Sequence, residues 1–140
     1  MSARHAPEAP SPAWDLDRWL RWQEGLNPLG IDLGLERVGR VADRLGIDAP
    51  GVPIITVGGT NGKGSTIAFL AAMLRAGGYR VGTYTSPHLL RYNERICLAE
   101  REVSDSELCQ AFAAVEAARH GEALTYFEFG TLAAWWLFRQ

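Results

Sequence analysis

Three glycines around one lysine form the part of the sequence best suited to chemistry. The stretch ITVGGTNGKGST spans residues 55–66 and holds Gly59, Gly62, Lys63 and Gly64. Glycines permit positive φ angles and let the backbone approach a ligand closely. The lysine side chain can extend over such a loop and bind the outer phosphates of a nucleotide. The pattern therefore predicts a phosphate-binding loop.

Two hydroxyl residues follow the lysine loop, and they extend the same prediction. Ser65 and Thr66 fall in the first turn of the helix expected there, where a hydroxyl can contact a phosphate or a magnesium ion. Backbone N–H groups at a helix start favour an anion, and the helix dipole adds about half a positive charge. The alternative interpretation is a flexible turn with a solvated lysine.

The loop departs from the strict pattern GxxxxGK[ST]. Val57 stands at the first glycine position, and Gly64 stands where a serine or threonine would follow the lysine. The context required of such a loop is a buried strand before it and a helix after it. The sequence predicts both, so the phosphate-binding interpretation is retained.

The elements that position this loop can be read from apolar spacing. Ser11 as N-cap and Pro12 predict the start of a first helix, and a second helix is expected to end at Gly46. Val52–Val57 is apolar and β-branched, which predicts a central strand of a parallel sheet. A helix through Leu74 and a strand in YRVGTYT then complete a β-α-β unit.

The second half of the chain is predicted to contain more helix than strand. Residues 85–103 are expected to be mostly loop, with a short strand-like piece at Arg95–Leu98. Ser104–Glu107 has the spacing of a capping box and predicts a helix that continues to about His120. The last segment, Tyr126–Phe138, is nearly all apolar and is expected to be a helix.

Composition limits the function classes. The chain has 140 residues, 47% hydrophobic and 21% charged, with a net charge of −2, so no basic excess is available for nucleic acid. No apolar run is long enough to span a membrane. The two cysteines, Cys97 and Cys109, form no CxxC pair and are expected to be free thiols in a reducing cytoplasm. Residues 1–12 predict a disordered leader.

Four motifs in one order resemble a known enzyme family. They are IDLGLERV, TVGGTNGKGST, GYRVGTYTSPHLLRYNERI and LTYFEFGTLAAWWLF. Over residues 14–140 they closely resemble the N-terminal part of bacterial dihydrofolate synthase/folylpolyglutamate synthases, members of the Mur-type ATP-dependent ligases. The GTNGKGS variant of that family accounts for the departure from the strict pattern. Gly58 stands where the family usually has alanine.

The resemblance implies a fold and a reaction. It implies an α/β fold, with residues 13–140 as part of a P-loop nucleotide-binding domain of the Mur-ligase type, with a parallel sheet and without the C-terminal domain. It implies an ATP-dependent carboxylate–amine ligase that uses Mg²⁺ and joins L-glutamate to dihydropteroate or to folate tails through an acyl phosphate. Binding of nucleic acid or membrane is not expected, and the full-length parent is expected to be a cytoplasmic monomer.

The resemblance also implies roles for individual residues. Lys63 is expected to be essential for catalysis, and Ser86 is expected to contact the metal ion. The residues expected to bind ATP are Thr60, Asn61, Gly62, Lys63, Gly64, Ser65 and Thr66. The residues expected to contact the pteroate are Asp32, Leu33, Gly34, Thr125, Tyr126, Phe127 and Glu128.

Several of these residues have a second interpretation. Ser86 can be an ordinary loop serine before a proline. Glu128, flanked by aromatic residues, can meet the donors of a pterin ring, or it can face solvent in the first turn of its helix, where the dipole favours it. His88 is expected to be a loop residue with a role beside the substrate, and neighbouring charged residues are expected to order that loop. Those neighbours are Arg91, Glu94 and Arg95. The tryptophans are expected to pack in the core rather than to bind a ligand, and they are Trp14, Trp19, Trp22, Trp135 and Trp136.

Family members are about three times as long as this chain. The reaction of the family is therefore not the same as what these 140 residues are expected to do alone. The later acidic strand and metal ligands of the family have no counterpart here, so we expect at most weak ATP binding and no ligase activity from these residues alone. Exposed apolar surface is expected along Trp135, Trp136 and Phe138. Two alternatives remain, a non-catalytic module that binds nucleotide or pterin and another P-loop NTPase. The residues do not distinguish addition of the first glutamate from extension of the tail.

Overall fold

The helices and strands follow the order that the apolar pattern predicts, with one exception. The computed structural model describes residues 9–26, 34–47 and 51–140. The elements are α1 (Leu16–Leu26), α2 (Glu36–Leu45), α3 (Lys63–Ala76), β1 (Gly82–Tyr84), a short 3-10 helix (Tyr92–Arg95), β2 (Ile96–Leu98), β3 (Arg101–Glu102), α4 (Asp105–Arg119) and α5 (Tyr126–Arg139).

Helices α4 and α5 pack against each other, and α1 and α2 cover them. The centre of this core is aromatic. Trp19 of α1 lies 6.1 Å from Phe112 of α4, which lies 5.8 Å from Phe129 of α5, as measured between ring centroids. All three side chains are fully buried. Each contributes about 1.5–3 kcal/mol by leaving water, so this aromatic stack fixes how the helices meet.

The predicted helix ends are confirmed for α2 and α4. Gly46 follows α2 with φ of +66°, the left-handed conformation that glycine adopts without strain. Ser104 caps α4, because its hydroxyl accepts from the Glu107 N–H at 3.2 Å while the Glu107 carboxylate accepts from the Ser104 N–H at 2.7 Å. The capping box therefore places the start of α4 where the sequence predicts it.

The predicted start of α1 is wrong. The helix begins at Leu16, and its cap is Asp15, whose carboxylate accepts from the Arg18 N–H at 2.8 Å. Ser11 instead closes a turn, since its carbonyl accepts from the Trp14 N–H at 3.0 Å. Aspartate and serine are both good caps, and the burial of Trp14 selects between them because the turn brings that ring into the core.

The segment Val52–Val57 is the main exception, because it is not a central parallel strand. It makes no sheet pairing with any described residue, and Ile54 and Ile55 are 54% and 60% exposed. The only sheet among the described residues is antiparallel, in the order β1–β2–β3. A β-branched run forms a strand only where another strand offers backbone partners. The edge strand β1 pairs with β2 and not with this segment.

The small sheet lies between the helices and connects them to α3. Thr83 of β1 is paired with Cys97 of β2, and β1 contacts both α3 and α5. A glycine is required at position 82, since a Cβ there would come within 2.6 Å of the Phe138 ring. The predicted strand-like piece at Arg95–Leu98 is confirmed as β2.

The expectation of exposed apolar surface along the last helix is confirmed for Phe138, which is 37% exposed, and is wrong for Trp135 and Trp136, which are partly buried against the core. More strongly exposed apolar side chains lie on α3 and on the preceding segment, and they include Phe69 and Met73. Both cysteines are free thiols, as predicted. None of the described helices has the length and apolar character needed to cross a bilayer.

Candidate functional site

The predicted phosphate-binding loop leads directly into α3. Gly62 is the residue before the helix, with φ of +77°, and the first internal bond of the helix runs from the Thr66 N–H to the Gly62 carbonyl at 2.9 Å. The N–H groups of Lys63, Gly64 and Ser65 precede that bond and have no acceptor within the helix. The loop therefore presents backbone donors at a helix start, as phosphate binding requires.

Lys63 lies over this loop. Its Nζ donates to the carbonyls of Gly59 at 2.6 Å and Thr60 at 3.4 Å. The lysine side chain therefore folds back over the loop that precedes it. Gly59 has φ of +149°, a conformation that a side chain would strain. Lys63 is also the only lysine of the sequence. The ammonium group and the free backbone donors together give the loop a concentrated positive charge.

The hydroxyl residues at the loop have different environments. Thr66 is engaged, because its Oγ1 donates to the Gly62 carbonyl at 2.9 Å and leaves only lone pairs for a ligand. Ser65, in the same turn, and Ser86, in the loop after β1, are exposed. In the described parts of the chain, no three His, Cys, Asp or Glu side chains converge as a metal site. The exposed hydroxyls of Ser65 and Ser86 are oxygen groups of the kind that Mg²⁺ binds together with waters and substrate phosphates.

A cleft of about 360 Å³ connects the start of α3 with the sheet. Gly64 and Ala68 line one wall, and Thr85, Glu94 and Cys97 line the other. Gly64, where the strict pattern has serine or threonine, thus contributes no side chain to this wall. Thr85 precedes Ser86 in the chain, so the cleft brings the loop after β1 to the phosphate-binding loop.

The loop of residues 86–91 is held by Glu94, as predicted, but mainly through backbone bonds. The Glu94 carboxylate accepts from the N–H groups of Leu89, Leu90 and Arg91 at 2.7–2.8 Å. These bonds, with that from Leu89 as the largest cause, hold the pKa of Glu94 below its ordinary value. Arg91 pairs with Glu102 at 2.6 Å, which is the ion pair expected of this loop.

The second predicted site lies at the start of α5. Thr125 caps the helix, and the Glu128 carboxylate accepts from the Thr125 N–H at 2.8 Å in a second capping box that the sequence reading missed, although T-x-x-E is visible at residues 125–128. The same carboxylate forms a bidentate pair with Arg37 of α2, at 2.8 and 3.1 Å. Glu128 therefore faces neither solvent nor an open pocket, since both side chains are nearly 90% buried.

Among the other members of the predicted pteroate group, Phe127 has a surface open to a ligand. Phe127 is 55% exposed, and its ring lies nearly parallel to that of Tyr84, with centroids 6.0 Å apart. Gly34 precedes α2, while Asp32 and Leu33 lie outside the described residues. The Arg37–Glu128 pair joins the helix that follows Gly34 to the turn that carries Phe127.

A tyrosine cluster beside this surface was missed by the sequence reading. Tyr84, Tyr92 and Tyr126 surround the Arg95 guanidinium, whose carbon lies 5.1 Å from the Tyr92 ring and 5.8 Å from the Tyr126 ring. Burial raises the pKa of the Tyr84 hydroxyl, and the nearby Arg95 partly offsets this rise. Tyr84 ends β1, Tyr92 begins the 3-10 helix, and Tyr126 begins α5. Because they belong to different elements, no periodic spacing in the sequence predicts that they lie together.

Comparisons with known proteins agree with this geometry. No family model matches the chain. A dihydrofolate synthase/folylpolyglutamate synthase of Escherichia coli (strain K12) is 49% identical over 140 residues, which are 100% of this chain and 32% of that protein. The E. coli FolC structure in complex with DHPP and ADP is 51% identical, with a TM-score of 0.88 over 94% of this chain and 32% of that one.

A third comparison adds a metal and a second substrate. A bifunctional folylpolyglutamate synthase/dihydrofolate synthase with Mn, AMPPNP and L-glutamate bound is 50% identical, with a TM-score of 0.88 over 95% of this chain and 32% of that one. The chain spans about a third of the length of the relatives that it matches. Over that third, the similarity includes both candidate sites.

Proposed function

Because this chain belongs to the family of dihydrofolate synthases/folylpolyglutamate synthases, of whose members it spans about a third, we propose that it provides the ATP-binding part of a ligase. The reaction joins the amine of L-glutamate to the carboxylate of dihydropteroate, or to that of a folate glutamate tail. The proposed setting is the cytoplasm, without nucleic acid or membrane as a partner and with the complete protein as a monomer.

The chemistry consists of two transfers. A carboxylate oxygen of the substrate attacks the γ-phosphorus of ATP, the bond to the ADP oxygen breaks, and an acyl phosphate forms. The glutamate amine then attacks the acyl carbon, phosphate leaves, and the amine proton passes to solvent. Both steps depend on alignment of the reactants and on stabilising charge at the phosphates, rather than on a protein nucleophile.

The observation that carries the proposal is the position of Lys63 at the first residue of α3. Its ammonium group lies on the loop carbonyls of Gly59 and Thr60, next to backbone donors that have no helical acceptor. A triphosphate bound there gives these donors their acceptors and gives the ammonium group an anion. The loop residues 60–66 are proposed to bind ATP on this ground.

Mg²⁺ is proposed as the accompanying metal. Ser65 and Ser86 would hold it through hydroxyl oxygens, together with phosphate oxygens and water, and its chemistry there is to neutralise charge on the transferred phosphoryl group. The exposure of both hydroxyls supports this assignment.

The pteroate is proposed to bind at Phe127 and the neighbouring cap of α5. The exposed ring of Phe127, parallel to Tyr84, offers a surface for stacking an aromatic ring system. Thr125, Tyr126 and Glu128 support that surface, and Glu128 does so through Arg37. Asp32, Leu33 and Gly34 belong to the same proposed site.

The test uses the fact that Lys63 is the only lysine. An amine-selective acetylating reagent modifies one side chain, which mass spectrometry separates from the N-terminal amine. We expect ATP with Mg²⁺ to slow acetylation of Lys63, and calorimetry to detect ATP binding that Lys63→Ala weakens by about tenfold or more. Arg80→Ala removes an exposed cation outside the loop and should leave ATP binding unchanged. Equal acetylation rates with and without ATP, and no heat on titration, would refute the proposal.

A further inference from the structure

Arg95 is a cation enclosed by rings. It ends the 3-10 helix, is half-buried, and its guanidinium carbon lies over the faces of Tyr92 and Tyr126. Its Nε donates to the His88 Nδ1 at 2.8 Å. The Arg95 side chain is therefore held in place by two tyrosine rings and a histidine.

Within residues 9–26, 34–47 and 51–140, no carboxylate lies within 4.0 Å of the Arg95 guanidinium. The adjacent carboxylate of Glu94 is turned away and accepts from three backbone N–H groups, and that of Glu102 is paired with Arg91. Half-buried cations are normally paired, because the loss of water around a charge is costly. The guanidinium thus has unused donors and an uncompensated charge.

Arg95 also lies between the two candidate sites. Its carbonyl accepts from the Thr85 N–H at 2.8 Å, which fixes it beside the strand end that enters the cleft at Gly64. On its other side, Tyr126 and Phe127 are the first residues of α5, and Phe127 stacks on Tyr84. A ligand that stacks on Phe127 and extends toward the phosphate-binding loop would pass this cation.

We propose that the Arg95 guanidinium binds the carboxylate of the substrate that stacks on Phe127. The inference rests on the proposed function and extends it to the acidic end of the substrate. A planar guanidinium suits a carboxylate because it can donate two parallel hydrogen bonds. The carboxylate can be that of the benzoyl group of dihydropteroate or that of a glutamate tail, and the experiment separates these sources.

The test compares ligands with and without a carboxylate on the full 140-residue chain. Arg95→Gln should weaken binding of 7,8-dihydropteroate by about 10- to 100-fold, because a hydrogen-bonded charge pair is lost. Binding of 6-hydroxymethyl-7,8-dihydropterin, which has no carboxylate, should be unchanged. Arg95→Lys should restore part of the loss. Equal weakening of both ligands, or none for dihydropteroate, would overturn the proposal.

Dihydrofolate serves as the arm that identifies the carboxylate, since its benzoyl carboxylate is already an amide. Weaker dihydropteroate binding with unchanged dihydrofolate binding assigns the benzoyl carboxylate alone, and weakening of both shows that Arg95 also binds the carboxylate of the glutamate tail. Arg91→Gln, which removes an exposed arginine of the same loop, is the matched control and should bind all three ligands normally.

Two further measurements keep the outcome decisive. If Arg95→Gln unfolds, the ¹⁵Nε resonance of Arg95 in the unaltered chain should shift with dihydropteroate and not with the neutral pterin; no shift overturns the inference. ATP titration separates the two proposals. If the unaltered chain binds ATP and Arg95→Gln binds dihydropteroate as well as the unaltered chain does, only the inference is refuted. If the unaltered chain binds neither ATP nor dihydropteroate, the proposed function is refuted as well.

Discussion

The hydroxyls of Tyr92 and Tyr84 pack against the backbone of α5 at Gly130. A Cβ there would overlap the Tyr92 hydroxyl and lie 3.1 Å from the Tyr84 hydroxyl. We predict that Gly130→Ala lowers the free energy of unfolding by about 1–3 kcal/mol through overpacking, measured by urea denaturation. Gly39→Ala is the control, because a Cβ on that exposed α2 position has nothing within 4 Å and should stabilise the helix. Stabilisation by both substitutions would contradict the packing described for α5.

The Arg37–Glu128 pair predicts coupling between two residues 91 positions apart. Arg37→Gln leaves a buried carboxylate with only its capping bond, and we expect a loss of about 1–3 kcal/mol in the free energy of unfolding. Glu128→Gln should cost a similar amount, and the double variant should cost less than the sum, since each single change removes the same interaction. The measurement is a double-mutant cycle by chemical denaturation. Additive effects would show that the pair contributes nothing specific.

At the scale of helices, α2 is attached to the connection between α4 and α5 by a surface charge network. Arg40 donates to both oxygens of Glu122 at 2.7 Å, and Arg44 reaches the same carboxylate at 3.3 Å. The hydrogen bond from Arg40 is the largest cause of a fall in the pKa of Glu122 from its ordinary 4.5 to about 2. The network therefore depends on an ionised carboxylate.

This lowered pKa predicts how stability changes in acid. The folded state binds the Glu122 proton more weakly than the unfolded state, so the contribution is complete above pH 4.5 and is lost as the pH falls toward 2. We expect the difference in thermal midpoint between the unaltered chain and Glu122→Gln to shrink over that range. A constant difference for Glu122→Gln would be inconsistent with the network.

The ends of a helix could be predicted from the sequence where a single residue type determines them. They could not be predicted where tertiary contacts decide between two suitable residues. Gly46 and Ser104 end and start their helices as expected, because the left-handed angle and the capping bond are local. Asp15 replaces Ser11 as the cap of α1 since burial of Trp14 decides between two adequate caps. Glu128 was uncertain for the same reason, because its partner Arg37 is distant in sequence. Arg95 was expected only to order its loop, since two of the tyrosines around it, Tyr84 and Tyr126, lie in elements distant in sequence.

At the scale of the molecule, the fold class could be predicted and the pairing of Val52–Val57 could not. The β-branched pattern reports a tendency toward extended backbone, and the segment is extended here without a sheet partner among the described residues. Strand pairing needs a second chain segment, which a local pattern does not contain. The phosphate-binding loop does not depend on that pairing, because Gly62 and the first turn of α3 set its geometry.

The unpaired segment and α3 together predict self-association of this chain. Ile54, Ile55, Phe69 and Met73 are each more than half exposed, and the extended backbone beside them offers unpaired N–H and C=O groups. Analytical ultracentrifugation at micromolar concentration should show species larger than 15.4 kDa. Ile55→Lys should reduce them by placing charge on this surface. Leu90→Lys, at a leucine that is 89% exposed in the loop after β1, should not. A monomer at every concentration, or an equal effect of both lysines, would mean that this surface does not drive association.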